Sequence, residues 1–491
     1  MVRFTRHAGL TIGIMAFMGI LINYVETMIM PATPVLEKFF STNYDSLSWI
    51  ITAYVISGTI SAALFGRLAD MYGKKNIFLI LALIYAVAVS FGGFATTLDQ
   101  LIFIRSIQGL GMGMFPVAFA LLNDQVPKHD LALAQGILSS TFTGGAAIGL
   151  VFGAWITQNY SWEWSYHSAI PFAFGLFFLA LIVLKDSSTR SKQRIDFAGV
   201  GLLAVGVVTL ILGISEGEYW GWSSIRITAS FAVSVLSLIA FVLVERRAES
   251  PFISMKLLRI RNVLLSNFTG LFAMAGMFFL FYSVPTLLQD PSPSGFGLSI
   301  FSAGLVMLPA ALVSMLFAPL SALVTKARGP KISILIGTIV LFAAYVGLYL
   351  YRSTVLNITE EAVIMGIGLS FIFVGVINIL LVSTPSKESG ASTGMNVVFR
   401  NIGSSIAPAI SGVLETMYVM PVTIQTVQGS YVRMFPSSQA FSYVYLIGMV
   451  FLLVSVFFTL LMKNVILKDG GKGETDNETG ETVQRQPNLD G

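Results

Sequence analysis

With 491 residues, 55% of them hydrophobic, 11% charged and a mean hydropathy of +0.80, the chain has the composition of an integral membrane protein. A net charge of +4 in such a chain reflects basic loops on one membrane face, so no nucleic-acid partner is expected. There is no cysteine, and His7, His129 and His167 are scattered, which excludes disulfides, thiol chemistry and a His/Cys metal cluster.

In chain order, runs long enough to cross ~30 Å of hydrocarbon at ~1.5 Å per residue begin with 9–31, 46–66, 76–96, 100–122, 132–157 and 167–184. The next two are 197–215 and 225–244, and six more follow at 263–288, 299–324, 331–350, 361–384, 390–418 and 437–462. The expected fold class is therefore an all-α integral membrane protein with 14 transmembrane helices. The first run follows Arg3 and Arg6, is long for a signal-peptide core and has no small-residue cleavage site, so it reads as a retained span.

An even number of spans puts both termini on one side. If that side is cytoplasmic, the outer loops hold only Lys38, Arg226, Arg352 and Arg433, while Arg105 and Arg400 fall inside spans and every other Lys or Arg lies on the inner side. This bias gives the expected topology, multi-pass in the plasma membrane with both termini cytoplasmic.

The longer polar breaks, 185–196 and 245–262, isolate the seventh and eighth spans as a pair. The expected organisation is a six-helix half (1–186), two inserted helices with their linkers (187–262), a second six-helix half (263–465) and a disordered cytoplasmic tail (466–491). A weak internal repeat supports the two halves: aligning Gly329 with Gly73 sets Ala322 on Gly66 and Lys331 on Lys75, with Lys326 where the first copy has Asp70. Paired halves are a common transporter plan, with the substrate path between them.

The candidate functional residues stand out against this apolar background. Glu26 lies in the outer third of the first span, one turn after Asn23; an ionisable group at mid-helix costs ~2.5–3.5 kcal/mol and is retained where it faces partners or a wet cavity. Burial favours the protonated carboxyl and a nearby cation the ionised one, so such a site can exchange a proton for a cation. The loop GRLADMYGKK at 66–75 packs Arg67, Asp70, Lys74 and Lys75 between two uncharged runs, with Gly66 and Gly73 suited to a tight reversal. Asp70 is placed to pair with Lys74 or to meet the positive N-terminus of another helix, and Asp124, at the inner end of the fourth span, can join it. Setting the topology is the plainer role for these charges.

Arg105 and Gln108 share one face of the fourth span, at about the depth of Glu26. A structural Glu–Arg pair between helices is the alternative to a coupling role. Gly145, Gly149 and Gly153 recur every four residues on the fifth span and let another helix pack or slide there. Arg400 lies in the thirteenth span between Asn396 and Asn401; with Asn23, Tyr24, Tyr54, Gln108 and Asn378 it is a candidate for the substrate cavity, packing being the alternative for each. GISEG at 213–217 fits a nucleophile pattern but ends an apolar helix without the strand–turn–helix context, so no enzyme is expected.

GRLADMYGKK resembles the loop signature of the major facilitator superfamily. The span count, with WIITAY at 49–54, RSIQGLGMG at 105–113, the glycine row at 145–153, WEW at 162–164, GWSS at 221–224 and VERRAESP at 244–251, resembles its fourteen-helix drug:proton antiporter branch. The resemblance implies that Asp70 latches the halves on the cytoplasmic side, that Arg105 handles protons near the acid, and that the glycine row is the antiporter motif. Here Met71 replaces the usual basic residue, and Leu150 and Ala154 replace the usual proline and second glycine. The implied function is proton-coupled efflux of amphipathic or cationic small molecules by alternating access, by a monomer in the lipid bilayer, with no cofactor and no metal. A metabolite carrier and a non-transporting sensor are the alternatives.

Overall fold

The computed structural model describes residues 5–42, 44–186, 196–248, 255–385, 388–426, 429–466 and 474–475. The linker 187–195 and nearly all of the tail from 466 lie outside them. We number the long helices α1 (Arg6–Thr27), α2 (Tyr44–Tyr72), α3 (Lys74–Gly92), α4 (Leu98–Gln125), α5 (Lys128–Asn159), α6 (Trp162–Val183) and α7 (Phe197–Ser215). They continue as α8 (Ile225–Arg247), α9 (Arg261–Gln289), α10 (Ile300–Arg328), α11 (Pro330–Leu350), α12 (Val355–Val382), α13 (Ser389–Met417) and α14 (Ser438–Leu461). Among the described residues 13 of these are long and apolar enough to span a membrane; the other, α7, has a shorter apolar stretch, Ala198–Ile214. All fourteen expected spans therefore correspond to helices.

One element went unread in the sequence. In place of the expected outer loop after α13 stands a β-hairpin, β1 (Val419–Thr426) against β2 (Gly429–Pro436), antiparallel with Val422 opposite Arg433. Its Val, Ile and Tyr residues favour strand, but Pro421 and the short apolar runs mask the alternation.

Two large apolar cores form, one from α1–α6 joined by Ile377 and Leu381 of α12, and one from α9–α14. They meet along α2 against α13 and along α5 against α10 and α12. A third, smaller core joins α7 and α8 to α2, α9 and α13. The inserted helix α7 thus covers the seam between α2 and α13, while α8 packs mainly on α7 and leaves Val235, Leu236 and Ile239 exposed toward the expected lipid.

The two glycines aligned by the sequence repeat have matching geometry. Gly73 (φ +106°) turns the chain into α3, and Gly329 (φ +87°) turns it into α11. Both conformations are strained for residues with a side chain, so the same tight reversal is built twice.

Candidate functional site

The loop expected at 66–75 is instead the last turns of α2, up to Tyr72, with Gly66 inside the helix and the reversal confined to Gly73. At this end of the bundle, here called the basic face, α2 and α13 come into backbone contact. A Cβ on Gly66 would run into the Gly390 carbonyl, and one on Gly394 into the Ala62 carbonyl. The run SGASTG at 389–394 supplies the small residues this approach needs, a signal the sequence reading overlooked.

Asp70, 1% exposed, projects from α2 onto the start of α13. The Gly390 N–H donates to its Oδ1 at 3.3 Å and the Ala391 N–H to its Oδ2 at 3.0 Å. Residue 388 provides no side-chain cap for α13, so the carboxylate of another helix takes the N-terminal donors and meets the positive end of the helix dipole. Lower in the same seam the Thr393 hydroxyl donates to the Pro116 carbonyl at 3.3 Å, and Asn401 Nδ2 donates to Thr59 Oγ1 at 2.7 Å. Thr59 was not singled out in the sequence, where a lone threonine in an apolar run carries no signal.

Lys74 takes a different partner. Its Nζ pairs with Asp124 Oδ2 at 2.8 Å, tying α3 to α4 within the first six helices, with the lysine 1% and the aspartate 15% exposed. Asp70 lies beside this pair and crosses to α13. Removing one partner of a buried pair strands the other charge. Asp124→Ala is therefore expected to lower stability by about 3 kcal/mol, read as a drop in melting temperature in detergent. A double variant, Lys74→Met with Asp124→Leu, should recover most of that loss; if it does not, the pair is not what holds α3 to α4.

Toward the opposite face, Arg105 is fully buried and reaches the end of α1. Its Nη1 donates to the Val25 carbonyl at 2.9 Å and its Nη2 to the Glu26 carbonyl at 3.0 Å, while Nε reaches the Ile50 carbonyl at 3.3 Å. The last carbonyls of a helix lack intrahelical donors and carry partial negative charge, so the guanidinium acts as a C-terminal cap for α1. The Tyr54 ring lies beneath it, 4.4 Å from ring centre to guanidinium carbon. Gln108 accepts from Arg105 Nη1 at 3.3 Å and donates to the Ala88 carbonyl at 3.1 Å.

Arg105 thus holds the backbone of Glu26; among the described residues no ion pair joins the two side chains. The Glu26 side chain is half-buried beside this cap. Asn23 donates to its own helix at Gly19, at 2.7 Å, and Tyr24 bonds Ser168 at 3.0 Å, linking α1 to α6.

The glycine row forms the groove in which α1 lies. Side chains at Gly145, Gly149 and Gly153 would collide with the α1 backbone at Ile20, Tyr24 and Met28 respectively, and Thr27 Oγ1 donates to the Ala146 carbonyl at 2.7 Å. Overpacking such a seam costs about 1–3 kcal/mol. Gly149→Val is expected to lower the melting temperature accordingly, whereas Gly13→Val, at a position with open space around it, should leave it unchanged. Equal effects from the two variants would remove the seam from the account.

In the last six helices Asn378 donates to its own helix at Val374, at 2.8 Å. Arg400 stacks over Phe373 at 4.7 Å. Asn23, Tyr54, Gln108, Asn378 and Arg400 are at most 6% exposed, so none lines an open cavity in this conformation; Tyr24 is half-buried.

The chain matches the family model for the Major Facilitator Superfamily over residues 15–408. Among its relatives is Multidrug resistance protein 3 of Bacillus subtilis (strain 168), 27% identical over 387 residues, covering 76% of this chain and 73% of that one. Another is the Tetracenomycin C resistance and export protein of Streptomyces glaucescens, 27% identical over 395 residues, covering 79% of this chain and 72% of the relative. A solved structure, the human organic anion transporter MFSD10 (TETRAN), aligns over 92% of this chain and 99% of its own with a TM-score of 0.62; at 12% identity the likeness concerns the fold alone.

Proposed function

The chain belongs to the Major Facilitator Superfamily, and from that premise we propose that it is a secondary transporter exporting amphipathic small molecules in exchange for protons. It is a multi-pass membrane protein and not an enzyme. Relatives named for multidrug resistance and for export support the direction and the substrate class.

The observation that carries alternating access is the seam on the basic face. It is held by the Asp70 carboxylate on the N-terminus of α13, by the Thr393 and Asn401 hydrogen bonds below it and by glycines in backbone contact, few polar bonds to break for the halves to part. We assign that face to the cytoplasm on the strength of its basic loops, with both termini there and the protein in the plasma membrane. In this reading α1–α6 and α9–α14 are the two moving halves and α7–α8 an inserted pair. Protons exchange at Glu26, held in place by the Arg105 cap; Tyr24 and, after the seam opens, Asn23, Tyr54, Gln108, Asn378 and Arg400 border the path. One chain suffices for the cycle.

The test uses everted vesicles carrying the protein, a pH-gradient dye, and a panel of lipophilic cations, neutral drugs and amino acids. Substrate-dependent proton release is expected for amphipathic members of the panel. Release triggered only by an amino acid would make the protein a metabolite carrier, and no release with any compound would sink the exporter reading.

A further inference from the structure

Within α9–α14, where α9, α12 and α13 meet, two asparagines and an arginine are buried together. Asn396 Nδ2 donates to Asn267 Oδ1 at 3.0 Å, and both residues are 0% exposed. Arg400, one turn along α13 from Asn396, stacks on Phe373. Gly270 faces both: a Cβ there would lie 3.2 Å from Asn396 Nδ2 and 3.4 Å from Arg400 Cγ. Within the asparagine pair one amide nitrogen and one amide oxygen are left over. Asn267 Nδ2 and Asn396 Oδ1 are buried and make no hydrogen bond among the described residues. Leaving such atoms unmet costs about 1–3 kcal/mol each, a cost that a polar ligand bound here would remove.

We propose that Arg400, Asn267 and Asn396 form a subsite for an acidic group of the transported molecule, so that the protein carries amphipathic organic anions as well as cations. The proposal rests on the exporter reading above and adds the substrate's charge.

The chemistry follows from the donor set. A planar guanidinium presents parallel N–H donors that match the oxygens of a carboxylate or sulfonate. The Phe373 ring, 4.7 Å from the guanidinium carbon, packs against that fork, and Asn267 Nδ2 adds a third donor from a second helix. Asn396 Oδ1 offers an acceptor to a hydroxyl or N–H beside the acid. Phe373, and the apolar core around it, suits the hydrophobic part of the molecule.

Position also fits loading from the cytoplasm. Asn396 and Arg400 lie five and nine residues along α13 from Ala391, about 8 and 14 Å deeper than the Asp70 contact. Separation of α2 from α13 at the basic face would open the cluster to that side.

The test uses proteoliposomes with an imposed pH gradient and three permanently defined naphthalene probes: 2-naphthalenesulfonate, 2-naphthalenesulfonamide and the 2-naphthylmethyl-trimethylammonium ion. The wild-type protein is expected to move the sulfonate at least tenfold faster than the sulfonamide. Arg400→Gln should reduce the sulfonate-to-ammonium rate ratio at least tenfold, and Arg400→Lys, which keeps the charge but loses the fork, should restore less than half of it. Should Arg400→Gln fail to fold by size-exclusion profile, Gly270→Ala narrows the same space, and the same ratio should fall at least threefold. No preference for the sulfonate in the wild type, or an unchanged ratio in the folded variants, overturns the acid subsite. Movement of the ammonium probe with proton exchange would then leave the exporter reading standing; failure of all three probes with no proton movement would take both down.

Discussion

Glu26→Gln is expected to abolish proton-driven export, with a loss of at least a hundredfold in the substrate gradient that vesicles can maintain. Glutamine keeps the size and hydrogen-bonding capacity of the protonated acid but cannot titrate. The Arg105 cap should survive, because it is made to the Val25 and Glu26 carbonyls and not to the carboxylate. The variant should therefore fold and reach the membrane normally, and binding of a neutral substrate should change little. Cation binding separates the roles further. In the wild type, affinity for a cation should rise with pH as the carboxyl ionises, and in the variant it should be flat. A variant that still exports a cation uphill with wild-type pH dependence would falsify coupling at Glu26, and Asp70 would become the next carboxylate to test.

Asp70→Asn should act on rate instead of affinity. The carboxylate makes two charge-assisted bonds to the N-terminus of α13, each worth about 1.5–3 kcal/mol, and an amide retains only part of that. Weakening the closure by about 1.4 kcal/mol shifts the balance between the two open states roughly tenfold toward the cytoplasm-open one. Turnover should fall by an order of magnitude or more, with apparent affinity for a neutral substrate altered less than threefold and normal amounts of protein in the membrane. A cysteine pair at 70 and 391 gives an independent reading in this cysteine-free chain. Oxidation should lock the seam and stop transport, and reduction should restore whatever activity the reduced pair retains. Unchanged turnover in Asp70→Asn would reduce the loop to a topological marker.

Most of the architecture was legible in the sequence. Spans read from apolar run length match helices, because hydrocarbon demands internally bonded, apolar segments whatever packs beside them. The repeat was legible too, through the one residue type that the turn's positive φ favours, at Gly73 and Gly329. The hairpin at 419–436 was not, since strand pairing depends on a partner segment and no long apolar run marks it.

The site divided along the same line. The sequence by itself determined which polar groups had to find partners: Glu26, Arg105 and Arg400 stand out because an ionisable group in hydrocarbon is costly wherever it sits, and Asp70 because it lies in a charged stretch between two uncharged runs. Only the tertiary structure decided their partners. Asp70 could have met Lys74, yet Lys74 goes to Asp124 and Asp70 to the start of α13. Arg105 was a candidate partner for the Glu26 side chain and instead caps the end of α1. In both cases the deciding partner is a backbone group at a helix terminus, exposed by where the helix ends and how closely its neighbour approaches. Backbone groups have no letter in the sequence, so which ones are left unbonded, and which charged side chain reaches them, is settled by packing.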